Sequence, residues 1–88
     1  MSSTSETATD KIRDVIRSYA RLPVEVESLA DEDDLYQAGM TSQASVNVML
    51  GLEDAFDVEF PDSLLRRDTF RSVASILGAL ETLGVGAP

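Results

Sequence analysis

The sequence predicts an all-α fold, a small four-helix bundle with three main helices, a short third helix, and a long loop between helices 1 and 2. Three observations carry this reading. Apolar residues recur at three- and four-residue spacing in three separate stretches, the pattern of amphipathic helices. No stretch alternates apolar and polar residues with the period of 2 that a half-buried strand requires. Proline or glycine marks the borders, at Pro23, Pro61, Gly84 and Gly86.

Residues 1–7 read as a flexible tail, 8–84 as the folded domain and 85–88 as a second tail. In helix 1 the apolar positions are Ala8, Ile12, Val15, Ile16, Tyr19 and Ala20. Thr7 with Asp10, or Thr9, supplies the start signal, and Pro23 ends the helix at the latest. Residues 22–41 then form a connection longer than compact domains usually carry, with Leu29, Leu35 and Tyr36 expected to pin it to the core. Its acidic run DEDD at 31–34 invites comparison with a calcium loop. Glycine would be needed at the sixth position and glutamate at the twelfth; Tyr36 and Ser42 stand there, and the comparison fails.

Helix 2 is expected from about Ser42 to Phe56, burying Val48, Met49, Leu52, Ala55 and Phe56. A second row, Ser42, Val46 and Leu50, runs four residues apart beside that stripe. It is either the edge of the core or an exposed apolar strip with Glu53 and Asp54 at its far end. Pro61 opens the short third element, where Leu64 and Leu65 are expected to seal the core. The last helix begins near Ser72, with Val73, Ile76, Leu77, Leu80 and Leu83 in register.

The 88 residues allow one modest core, 43% of the chain being hydrophobic but only three Phe, two Tyr and no Trp being present. Without cysteine or histidine, disulfides and Cys/His zinc sites are excluded. The polar, acidic opening MSSTSETATD lacks the pattern of a secretory or mitochondrial leader, and no apolar run approaches the roughly 20 residues that span a bilayer. The expected location is the cytoplasm and the expected state a monomer.

The net charge is −9, and no basic residue lies between Leu22 and Leu65. Nucleic acid and anionic membrane would be repelled, and neither is expected as a partner. Acidity by itself keeps a small domain soluble; its concentration around helix 2 favours docking to a basic protein surface.

Ser42 can be read from its residues in three ways: helix cap, nucleophile or attachment point. Nucleophilic catalysis needs a nearby base and a group to orient it. Histidine is absent and Lys11 is the only lysine, so the chain is not expected to be an enzyme. Serine is a common N-cap, and Thr41 could share that task. The first turn of a helix also tolerates a phosphate, through free N–H groups and the positive end of the helix dipole.

The run GMTSQASVNVMLGLEDAFDVEFPD resembles the central segment of acyl carrier and peptidyl carrier proteins, which carry Gly-x-Asp-Ser-Leu, an apolar helix and an Ile-Pro. Gly39, Ser42, Leu52, Glu53, Asp54, Phe56, Phe60 and Pro61 align without a gap, and Phe70 to Ile76 resembles the family's final helix start. The likeness covers roughly residues 9–83. It implies that a phosphopantetheinyl transferase moves 4′-phosphopantetheine from coenzyme A onto Ser42, whose borrowed thiol then carries an acyl or aminoacyl thioester between enzymes. Thr41, Gln43, Val46, Leu50, Glu53 and Asp54 would be the docking face.

Thr41 replaces the family's aspartate and Gln43 its leucine, while Ala44 and Asn47 stand where fatty-acid carriers often have acids. GMTSQASVNVML with FDVEFPDSLLRR resembles more closely a small bacterial group of stand-alone aminoacyl carriers. Those are loaded by amino acid:carrier protein ligases similar to seryl-tRNA synthetase cores and serve a downstream acceptor enzyme. The alternatives are a specialised fatty or polyketide acyl carrier loaded by its own enzyme, or an unmodified acidic adaptor.

Overall fold

The structure, a computed structural model, describes residues 7–84. Helix α1 spans Ala8–Tyr19, started by a capping box in which Thr7 and Asp10 satisfy each other's backbone N–H groups. Thr7 is therefore part of the folded unit; the other expected tail positions, and Gly86 as a helix stop, lie outside the described residues. The helix buries Ile12, Val15 and Ile16, with Ala20 just beyond it. Tyr19 is 45% exposed instead of joining the core.

The connection 22–41 contains one short 3-10 turn, Val26–Ser28. Leu35 is fully buried, Leu29 and Tyr36 pack against the core, and Val26 and Met40 add two buried anchors that periodicity did not reveal. Backbone bonds fasten it to the far end of the chain: Leu35 N–H to the Arg71 carbonyl at 2.6 Å and Ala74 N–H to the Asp31 carbonyl at 2.8 Å. Arg13 reaches the Val26 carbonyl at 2.8 Å and the Asp31 carboxylate at 2.7 Å. The acidic run thus has local work. Asp33 accepts from Ala30 N–H, and Asp34 from the N–H groups of Tyr36 and Gln37.

Arg17 also bonds Glu27. The Glu27 backbone and the Arg17 guanidinium hold the Glu27 carboxyl below its ordinary value. A depressed folded-state pKa means this tie is present above the ordinary carboxyl range and fades as pH falls through the depressed value.

Helix α2 spans Ser42–Phe56 and buries Val48, Gly51 and Leu52, with Met49 and Phe56 half-buried. Ala55, expected inside, is exposed; in the last turn its methyl is too short to reach the core. The helix stops at Asp57 in the left-handed region, φ 55°, where Val58 N–H bonds the Glu53 carbonyl at 3.1 Å, a Schellman-type ending.

The expected short third helix takes the form of two 3-10 turns, Asp62–Leu64 and Arg67–Phe70. Leu64 packs on the core, but Leu65 does not seal it: it is 45% exposed as the chain leaves the first turn. Phe70 takes the interior place, edge-on to Phe60 with ring centroids 5.4 Å apart. Helix α3, Val73–Thr82, starts with a Ser72–Ser75 capping box, buries Val73, Ile76, Ala79 and Leu80, and gives way to Gly84 at φ 90°. No strand occurs among the described residues. No helix among them is long and apolar enough to cross a membrane.

Helices α1 and α2 meet at Gly51. A Cβ there would lie 2.6 Å from Tyr19 Cε2 and 2.9 Å from Val15 Cγ1. Alanine gains about 1 kcal/mol in helix propensity over glycine, but forcing atoms into a packed contact costs about 1–3 kcal/mol. Tyr19 can swing into solvent, whereas Val15 is buried and cannot yield. Gly51→Ala is therefore expected to lower stability by about 1 kcal/mol, read as a fall in the urea midpoint at constant slope; an increase would show that Tyr19 alone made the contact.

Candidate functional site

The approach to Ser42 is fixed by Gly39 and Thr41. Gly39 has φ 119°, and a Cβ on it would lie 2.6 Å from Pro23 Cδ. Only glycine lets the backbone pass that ring in that conformation. Thr41 then adopts extended dihedrals, φ −81° and ψ 166°, and its hydroxyl accepts the Ala44 N–H at 3.0 Å. Its carbonyl accepts the Ser45 N–H at 3.0 Å. Thr41, not Ser42, is the N-cap.

Ser42 is consequently the first helical residue. It is exposed, and its hydroxyl makes no hydrogen bond to a described residue; only its carbonyl is engaged, by Ser45 Oγ at 2.6 Å. The backbone N–H groups of Ser42 and Gln43 also lack partners among the described residues. No acid occupies the first turn, so nothing there offsets the dipole's partial positive charge. An exposed hydroxyl, two free amides and an uncompensated dipole suit a tethered phosphodiester.

A cleft of about 420 Å³ opens beside this hydroxyl. Ser42, Ser45, Val46 and Met49 of α2 form one wall; Leu65, Arg66, Arg67 and Phe70 face them, with Tyr36 from the connection. Leu65, Arg66, Arg67 and Tyr36 were not anticipated here. The only hint was that Arg66 and Arg67 end the long stretch without positive charge.

The other predicted site residues separate by role. Val46 and Leu50 are 51% and 53% exposed, which decides between core edge and exposed strip in favour of the strip. Gln43 and Asp54 are exposed beside it. Glu53 is half-buried, and its carboxylate accepts the Phe60 N–H at 2.9 Å, so it also holds the chain leaving α2.

These assignments are separable by stability. Thr41→Ala is expected to cost about 1 kcal/mol, the usual loss of a capping hydroxyl. Ser42→Ala should stay within about 0.5 kcal/mol, as for a surface position without bonds. Comparable urea midpoints for the two would refute the division. Glu53→Ala leaves the Phe60 amide unpaired and should cost about 1–3 kcal/mol, measured the same way; a neutral result would remove its structural role.

Residues 10–80 match the protein family described as "Phosphopantetheine attachment site". The chain is 52% identical over 65 residues to the aminoacyl carrier protein of Agrobacterium fabrum, covering 74% of this chain and 78% of that protein. It also resembles a chain in the crystal structure of an engineered Bradyrhizobium japonicum glycine:carrier protein ligase complexed with a carrier protein from Agrobacterium tumefaciens and ATP. There the TM-score is 0.82 at 46% identity, covering 84% of this chain and 96% of that one. An Agrobacterium tumefaciens protein solved in solution matches with a TM-score of 0.70 at 45% identity, covering 85% and 90% of the two chains. By sequence and by fold together, the chain belongs to the phosphopantetheine-binding carrier family.

Proposed function

We propose that Ser42 carries 4′-phosphopantetheine and that the chain holds an aminoacyl group as a thioester on that arm, presenting it to partner enzymes. The observation that carries the reading is the exposed, unbonded Ser42 hydroxyl at the first position of α2, with Thr41 doing the capping. Family members are carriers and not catalysts. A transferase supplies the base that takes the Ser42 proton as the serine oxygen attacks the pantetheine-bearing phosphorus of coenzyme A, the pyrophosphate bond breaks and 3′,5′-adenosine bisphosphate leaves, which is consistent with a chain lacking histidine. Once attached, the arm supplies the thiol that a cysteine-free chain lacks.

Aminoacyl cargo is favoured by the likeness to the Agrobacterium aminoacyl carrier and to a carrier crystallised with a glycine:carrier protein ligase. The loading enzyme is accordingly an amino acid:carrier protein ligase, working in the cytoplasm beside a transferase and a downstream acceptor. Val46 and Leu50 give such partners an apolar contact, flanked by Thr41, Gln43 and Asp54. Glu53 sits at its end but is shared with Phe60.

The purified chain should gain the mass of one phosphopantetheine with coenzyme A and a broad-specificity transferase, and Ser42→Ala should gain none. A bare wild-type chain beside a modified control carrier would sink the proposal and leave the unmodified adaptor. The holo form should take glycine or another amino acid from ATP and a ligase of this class; acceptance of acyl groups alone would make it a fatty or polyketide carrier. Leu50→Glu should preserve the urea midpoint while lowering ligase-dependent loading at least about tenfold, the scale of an interface anchor.

A further inference from the structure

The cleft beside Ser42 combines apolar walls with positive charge that the chain itself leaves unanswered. Arg13, Arg17 and Arg71 are paired with carboxylates, Lys11 lies over the Phe56 ring, and Arg21, also without a carboxylate partner among the described residues, lies outside this cleft. Arg66 and Arg67 line the cleft and have no carboxylate partner among the described residues. In a chain with sixteen acids and seven bases, two adjacent uncompensated arginines mark a place where an external anion gains from both.

Arg67 is also held in position. Its guanidinium carbon lies 3.8 Å from the centre of the Tyr36 ring, and the Tyr36 hydroxyl donates to the Arg67 carbonyl at 3.3 Å. A planar guanidinium stacked on an aromatic ring is oriented before any anion arrives, which reduces the entropy lost on binding. Between the arginines and α2 lie Val46, Met49 and Leu65. The volume of about 420 Å³ falls within the ~300–1,000 Å³ of small-molecule sites.

The occupant with matching chemistry is the arm expected on Ser42, which is anionic at its attached end, carries paired methyl groups next, and continues through two amides. Building on the reading of Ser42 given above, we propose that Arg66 and Arg67 bind the phosphodiester of the arm in cis. The arm's dimethyl segment then lies against Val46 and Leu65. The unengaged holo carrier therefore keeps its arm on its own surface, and a partner must lift it out.

The test compares ¹H–¹⁵N and methyl spectra of apo and holo protein, with intact mass recording modification and ³¹P shifts reporting the phosphodiester. In the wild type, modification should shift the Arg66 and Arg67 side-chain signals and the methyls of Val46, Met49 and Leu65. The double variant Arg66→Gln/Arg67→Gln should reach full holo mass, retain the apo spectrum away from the substituted segment, and lose at least half of those methyl shifts. Perturbations confined to residues 41–45 would overturn the proposal, as would methyl shifts unchanged in the double variant. If the variant instead loads poorly while its methyl shifts match the wild type, the arginines face the ligase and the proposal falls. A chain that gains no mass overturns both this inference and the carrier reading, whereas full mass without cleft shifts overturns this inference alone.

Discussion

The structure depends on Leu35. Its side chain is completely buried and its N–H is bonded to the Arg71 carbonyl at 2.6 Å, so one residue joins the long connection to the segment entering α3. No disulfide and no Cys/His zinc site can perform this closure in a chain without cysteine or histidine. The connection in turn delivers Gly39, Met40 and Thr41 to the start of α2. A loosened Leu35 would leave the site residues correct in sequence but unsupported in space.

Both ends of α2 are held by side chains outside its apolar stripe. Thr41 secures the first turn through the Ala44 amide, and Glu53 secures the exit through the Phe60 amide. The face bearing Val46 and Leu50 consequently has no structural duty and remains half-exposed. Thr41 in place of the family's aspartate preserves capping, because both side chains offer an acceptor oxygen. What changes is charge: the first turn lacks a carboxylate beside Ser42, and the positive end of the helix faces solvent undiminished.

The parts of this arrangement set by local sequence were legible before the structure. The limits of α2, about Ser42 to Phe56, were readable from its apolar stripe, and Thr7 with Asp10 was one of two start signals offered for α1, the one the structure uses. The outward row 42, 46, 50 was visible, but its exposure was not, because burial depends on what packs against it. Leu65 shows the same limit: hydrophobicity suggested the interior, whereas the tertiary path gave that place to Phe70. Arg66 and Arg67 meet Ser42 only through folding, 24 and 25 positions away along the chain. Gly51 is a further case: only the folded approach of Tyr19 and Val15 shows why that position carries no side chain.

The Ser42 hydroxyl bonds to no described residue, so the side chain proposed as the tether is dispensable to the scaffold. A gene copy that lost Ser42 would still yield a folded product with Val46 and Leu50 displayed. Quality control that recognises exposed cores would let it pass. On the function proposed for Ser42, such a blank would compete with a charged carrier for the same enzymes, and the loss would be felt as competition rather than as missing protein.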